Sequence, residues 1–214
     1  MSLDKQTPLR LLWFYLGLSI MTVGYALVIR PGVGAAPWDI FHFGVSGQTG
    51  VPLGFVIQAA GLLVIFINLS LGIRPTVGMV LNMLSVGPLL QRLLPLIAVP
   101  ESLLGRWGML ALGVLIAGLG TALYVSADLG SGPRDGMMIG LTRKLGISVA
   151  FIKNGIDITV ALVGWLLGGP LGLGTVAVAL GMGPSVQLGM AAVKRLATYA
   201  PFDGFVRPVS LKRT

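Results

Sequence analysis

Two aspartates stand out because of what precedes them. Asp39 closes the stretch GVGAAPWD and Asp135 closes DLGSGPRD, each two residues past a proline. Gly34 and Pro37 in the first stretch, and Gly130, Gly132 and Pro133 in the second, break any regular helix. Glycine and proline disfavour helix interiors, while proline suits a first turn. Each aspartate therefore falls in the first turn of a short helix, where the dipole favours a carboxylate. Such a carboxylate can hold a cationic group or a proton, or it can cap its helix by accepting backbone N–H bonds. The spacing fits both roles.

Other polar groups lie close to this pair or inside apolar runs. His42 follows Asp39 by three residues, on the same helical face, and suits a protonation switch or a plain interfacial hydrogen bond. Arg134 adjoins Asp135 and could neutralise it or bind an anion. Lys153 and Asp157 are four apart within an apolar run and share a helix face, as an internally neutral packing pair or as a substrate or proton-relay site. Asn154 is adjacent to Lys153, and Gln58 is its counterpart in the repeat described below. These eight residues form the candidate substrate or ion site. Asn82, Gln91 and Gln187 are expected to hydrogen-bond between helices.

Several chemistries are excluded. The chain has no cysteine and one histidine, so disulfides, zinc–thiolate sites and multi-histidine metal or haem sites cannot form. No Walker motif is present, and the GxG elements at Gly130–Gly132 and Gly172–Gly174 belong to no βαβ unit. No nucleophile–base constellation rises above chance. No enzyme activity, catalytic residue, metal or cofactor is therefore expected.

The elements that must position these residues are membrane spans. Of the 214 residues, 55% are hydrophobic and 10% charged, with mean hydropathy +0.90, whereas soluble domains carry about 25% charged residues. The net charge of +8 sits between apolar runs rather than along one face, which argues against nucleic acid. Runs at Leu11–Ile29, Leu53–Gly72, Val77–Val99, Trp107–Val125, Val149–Gly168 and Leu173–Val193 are long enough to cross the roughly 30 Å of hydrocarbon. The first reads as an uncleaved anchor. With the N-terminus inside, Lys5, Arg10, Arg74, Arg134, Arg143, Lys144, Lys153, Lys194, Arg195, Arg207, Lys212 and Arg213 are cytoplasmic, leaving only Arg30, Arg92 and Arg106 outside. Both termini are expected in the cytoplasm. The basic tail, residues 194–214, is expected to rest on anionic lipid.

A shift of 96 residues aligns Arg10–Gln91 with Arg106–Gln187 without a gap, giving about 22 identities over 82 positions. They include Gly17/Gly113, Gly24/Gly120, Pro37/Pro133, Asp39/Asp135, Gly87/Gly183 and Gln91/Gln187. Apolar bias cannot place Gly, Pro, Asp and Gln at one offset, so the single membrane domain (residues 1–214) is a duplication. Each half holds three spans and one short segment. A short segment that re-enters leaves three spans per half and inverts the second half, whereas one that crosses gives four and a parallel repeat. Length favours re-entry. The fold class expected is all-α, six transmembrane helices in two inverted three-helix repeats, each with a short broken or re-entrant helix. Gly50/Gly54, Gly136/Gly140 and Gly164/Gly168/Gly172 have the four-residue spacing of close helix approach, within the chain or between copies in a homo-oligomer.

The blocks GVGAAPWDIFHFGVSGQTGVPLG and LGIRPTVGMVLNMLSVGP, echoed by DLGSGPRDGMMIGL and LGLGTVAVALGMGP, resemble the YczE/YitT-type family of bacterial integral membrane proteins. The second copy departs from the first, with Arg134 in place of Trp38 and Val178 in place of Asn82. The resemblance implies a bacterial cytoplasmic-membrane protein and leaves the cargo open. The function expected is a small-molecule or ion permease, with a proton as the natural coupling ion and membrane lipids as partners. The alternatives are a passive channel and a non-transporting assembly or lipid-interaction protein.

Overall fold

The computed structural model describes residues 7–198, so Lys5, Arg207, Lys212, Arg213 and most of the basic tail lie outside the described residues. Eight α-helices follow one another: α1 (Thr7–Ile29), α2 (Pro37–Thr49), α3 (Leu53–Ser70), α4 (Val77–Leu93), α5 (Leu103–Ser126), α6 (Pro133–Leu145), α7 (Val149–Leu166) and α8 (Leu173–Leu196). Among the described residues there is no strand. Among the described residues six helices, α4 with the turn that extends it to Leu96, are long and apolar enough to cross a membrane, and α2 and α6 are the two short ones.

Local chemistry sets the ends. Pro37 and Pro133 occupy the first turns of α2 and α6, and Gly50 and Gly146 close them in left-handed conformations, φ 69° and 67°. Thr76, Ser102 and Ser148 cap α4, α5 and α7 by accepting from Met79, Gly105 and Phe151 N–H groups. The third apolar run ends early: α4 stops at Leu93 and a 3-10 turn, Leu94–Leu96, takes over around Pro95. The fourth starts sooner, at Leu103, because Ser102 supplies the cap.

α1 and α5 cross antiparallel at the centre. A Cβ on Gly24 would meet the Ala117 backbone, and one on Gly120 would meet the Met21 backbone. Gly17 likewise abuts Tyr124, and Gly113 abuts Val28. Each contact has a twin displaced by 96 residues in both partners. The connecting loops behave alike: the Gly78 N–H donates to the Leu129 carbonyl and the Gly174 N–H to the Val33 carbonyl, both at 2.8 Å.

The short helices exchange partners. α2 crosses the end of α7, with Gly44 and Gly164 at the contact, and α6 crosses the end of α3 at Gly140 and Leu71. Gly54, Gly136, Gly140, Gly164 and Gly172 make the close approaches expected of them. Gly50 and Gly168 do not. They sit at positive φ in turns, 69° and 88°, with open space where a Cβ would stand. Phe55, Phe66, Leu104, Leu166 and Leu173 face outward, as lipid-contacting side chains do.

Candidate functional site between the two short helices

The connecting segments at Gly34 (φ 150°) and Gly130 (φ 105°) lead into α2 and α6, and both backbones need a residue without a Cβ. They carry the N-terminal ends of the two short helices to one place. There the Arg134 guanidinium lies over the Trp38 ring, 4.4 Å from its centroid. Trp38 and Arg134 are 96 apart, so two corresponding positions touch. Helix N-termini bring unpaired N–H groups and positive partial charge, to which Arg134 adds a full one.

The two aspartates separate at this point. The Gly132 N–H donates to Asp135 Oδ2 at 3.2 Å, which closes the cap of α6. At α2 the capping position is Ala36 and no side chain caps the helix. Asp39 is buried, and its Oδ2 has no hydrogen-bond partner. Its Oδ1 lies 3.8 Å from His42 Nδ1. His42 is 1% exposed, neither ring nitrogen is hydrogen-bonded, and the rings of Trp38 and Phe41 flank it. Unsatisfied polar groups in a buried place are costly and call for an explanation.

Beside these groups opens a cleft of about 480 Å³ between α3 and α7, floored by Trp38 and Phe41 of α2 and Met137 and Leu141 of α6. Thr159 is the one hydroxyl in its otherwise apolar wall. Leu63 and Phe151 at its edges are largely exposed, so the cleft opens sideways, toward the surface that lipid would cover.

The remaining expected residues lie apart from this centre. Lys153 Nζ and Asp157 Oδ2 pair at 2.5 Å on α7, the lysine half exposed. Gln58 is a packing residue: its Nε2 donates to the Leu84 carbonyl at 3.0 Å and ties α3 to α4. Gln91 does the same by accepting from the Gly54 N–H at 2.7 Å. Asn154, the counterpart of Gln58, is exposed on α7, as is Gln187 on α8; among the described residues neither side chain is hydrogen-bonded.

Sequence reasoning missed Asn68, Tyr25 and Tyr124. Asn68 is fully buried at the end of α3, where its Nδ2 donates to the Pro133 carbonyl at 2.8 Å and its Oδ1 stays unbonded. Its lone polarity inside an apolar run was the available signal. Tyr25 lies within electrostatic reach of Arg134, Asp39 and Asp135, and Tyr124 of Asp135. Tyrosines in apolar spans read as packing residues, so nothing in their spacing marks them.

Residues 8–191 match a family of unknown function, DUF6198. The chain is 34% identical over 186 residues to an uncharacterized protein of Haemophilus influenzae, across 87% of this chain and 85% of that one. It is 32% identical over 200 residues to the uncharacterized membrane protein YczE of Bacillus subtilis, across 92% and 93% of the two chains. The similarity to YczE bears out the resemblance carried by the PWD-to-TG block. The uncharacterized protein YyaS of Bacillus subtilis is 22% identical, over 78% of this chain and 85% of its own. No solved structure matches the chain.

Proposed function

We propose a function for this chain as a member of DUF6198, the family of unknown function to which it belongs: a permease of the bacterial cytoplasmic membrane. It carries a small molecule or ion through a site between two inverted repeats, residues 10–91 and 106–187. The observation that carries the reading is the meeting of α2 and α6. Antiparallel α1 and α5, with contacts twinned at an offset of 96, support a twofold axis lying in the membrane plane. An axis so placed relates Trp38 to Arg134 and brings two interrupted helices together at mid-depth, a common plan for solute carriers. Asp39, His42, Arg134 and Asp135 there receive a polar or ionic group. With no ATP motif in the chain, uptake or export runs on an ion gradient, with a proton as the coupling ion.

A second reading is favoured by one observation. The cleft wall is apolar but for Thr159, which suits a lipid tail held without transport.

The test is flux in proteoliposomes. The permease reading expects saturable exchange of labelled solute, at least tenfold weaker in the Asp39→Asn, Asp135→Asn double variant. Flux unchanged in that variant at every pH overturns it, and lipid retention through purification without flux supports the second reading. Topology is read by single cysteines at Gln48 and Ser102, labelled from outside with an impermeant maleimide. Both label if α2 re-enters. Protection of Gln48 with labelling of Ser70 makes the repeats parallel and removes the axis.

A further inference from the structure

The two halves differ in how their last two long helices pack. In the first half α4 lies on α3, joined near the start of α3 and the end of α4. Gly54 and Gly87 bring the two backbones together, Gln91 accepts from the Gly54 N–H at 2.7 Å, and Gln58 donates to the Leu84 carbonyl at 3.0 Å. The positions 96 residues on are Ala150, Gly183, Gln187, Asn154 and Leu180, nearly the same chemistry. There the contact is not made. All five are exposed, and a Cβ on Gly183 would meet nothing within 4 Å. α8 lies on α5 instead, through Ser185 against Gly118 and Gly189 against Ala122.

The unmade contact has a fitting shape. In the closed pair Gly61 faces the Met83 side chain. Their counterparts are Asp157 and Ala179, so the large residue has moved to the other helix and the small one leaves room for it. Lys153, the counterpart of buried Ile57, is already paired with Asp157 and would enter the interface as part of a neutral pair. A charge buried with its partner in place costs far less than one buried alone. Two amides and an ion pair within membrane-spanning helices with no helix to face are costly to leave open permanently.

We infer that the unmade α7–α8 contact leaves open the cytoplasmic entrance to the central site, and that the protein makes the α7–α8 contact as it breaks the α3–α4 one. The inference rests on the permease reading and on the orientation drawn from charge. α3 starts on the outer side, so the made contact seals that side while the unmade one leaves the cytoplasmic side open. Ile152, Gly155 and Ile156, which flank Lys153 and Asn154 along α7, line the cleft beside Trp38 and Met137, which links this end of α7 to the site. Exchange of the two contacts gives the protein its second, outward-open arrangement.

The absence of cysteine makes the test direct. Gln58→Cys with Leu84→Cys reports the first contact, and Asn154→Cys with Leu180→Cys the second, both in native membranes with a short bifunctional thiol reagent. The 58–84 pair is expected to link at once. The 154–180 pair links within one chain about tenfold or more slowly, because the closed form is the minor population. In the four-cysteine variant, chains linked at 58–84 do not link at 154–180. Two links formed together in one chain overturn the inference, as does a 154–180 pair that links only between copies or never. Monodisperse elution of each variant controls for folding. Exclusive links without solute flux leave the exchange standing and remove the permease reading; flux with coexisting links does the reverse.

Discussion

α2 and α6 share length, proline, aspartate and terminal glycine, yet one end is finished and the other is not. At α6, Asp135 caps the helix from within, and Asn68 reaches across from α3 to bond the Pro133 carbonyl. At α2, Asp39 and His42 are buried without hydrogen bonds, and the position corresponding to Asn68 is Gly164. Gly164 lets the α2 backbone come down directly on α7 at Phe41. One polar group from each half, Asp135 and Asn68, thus goes to holding α6, while those of α2 are left unspent. Equal backbones carry unequal chemistry: the unbonded carboxylate and imidazole lie on α2, and the satisfied cap lies on α6.

The largest effect that would break this comparison is at the two helix crossings. A methyl on Gly164 runs into the Phe41 backbone, which cannot step aside without moving α2. A methyl on Gly136 meets the tip of Met79 at 2.9 Å, which can turn away, and the Asn68 amide at 3.1 Å, which need give only a few tenths of an ångström. Gly164→Ala is therefore expected to cost about 2–3 kcal/mol and Gly136→Ala about 1 kcal/mol or less. Thermal unfolding in detergent reads the difference. Equal losses would mean that α2 and α6 are held in the same way.

A smaller effect separates the aspartates. Asp135→Ala removes a cap and is expected to destabilise by about 1 kcal/mol. Asp39→Ala removes a buried carboxylate that no donor satisfies, so stability holds or rises. Asn68→Ala frees the Pro133 carbonyl and costs about 1–3 kcal/mol, and α2 has no equivalent bond, since Gly164 stands 96 residues on from Asn68. Loss of stability in Asp39→Ala equal to that in Asp135→Ala would give both residues the capping role.

Much of this was legible. Six apolar runs fixed the spans to within a few residues, and the offset of 96 paired Trp38 with Arg134 before any distance did. The division of labour between Asp39 and Asp135 was not legible, because both have the same local register. What separates them is packing from afar: Asn68 bonding the α6 end and Gly164 admitting α2 lie 96 apart in sequence and look unrelated. Spacing also treated Gly50 and Gly168 as helix contacts, although each ends a segment where a turn needs positive φ. The made α3–α4 contact and its unmade twin share Leu84/Leu180, Gly87/Gly183 and Gln91/Gln187, so those positions alone could not tell them apart. Only three-dimensional placement does.

The smallest effect is spectroscopic and sharpens the comparison most. His42 is the one histidine of the chain, so its imidazole nitrogen resonances are unambiguous in a labelled sample. Its nearest acid is Asp39 at 3.8 Å, and Arg134 also acts on it. Asp39→Asn removes the adjacent carboxylate and is expected to shift both nitrogens, and Arg134→Gln to shift them less. Asp135→Asn is expected to leave them in place, since that carboxylate is held by the Gly132 N–H. An equal response to both aspartate variants would mean that the two ends form one electrostatic unit, and the finished and unfinished helices would no longer be distinct.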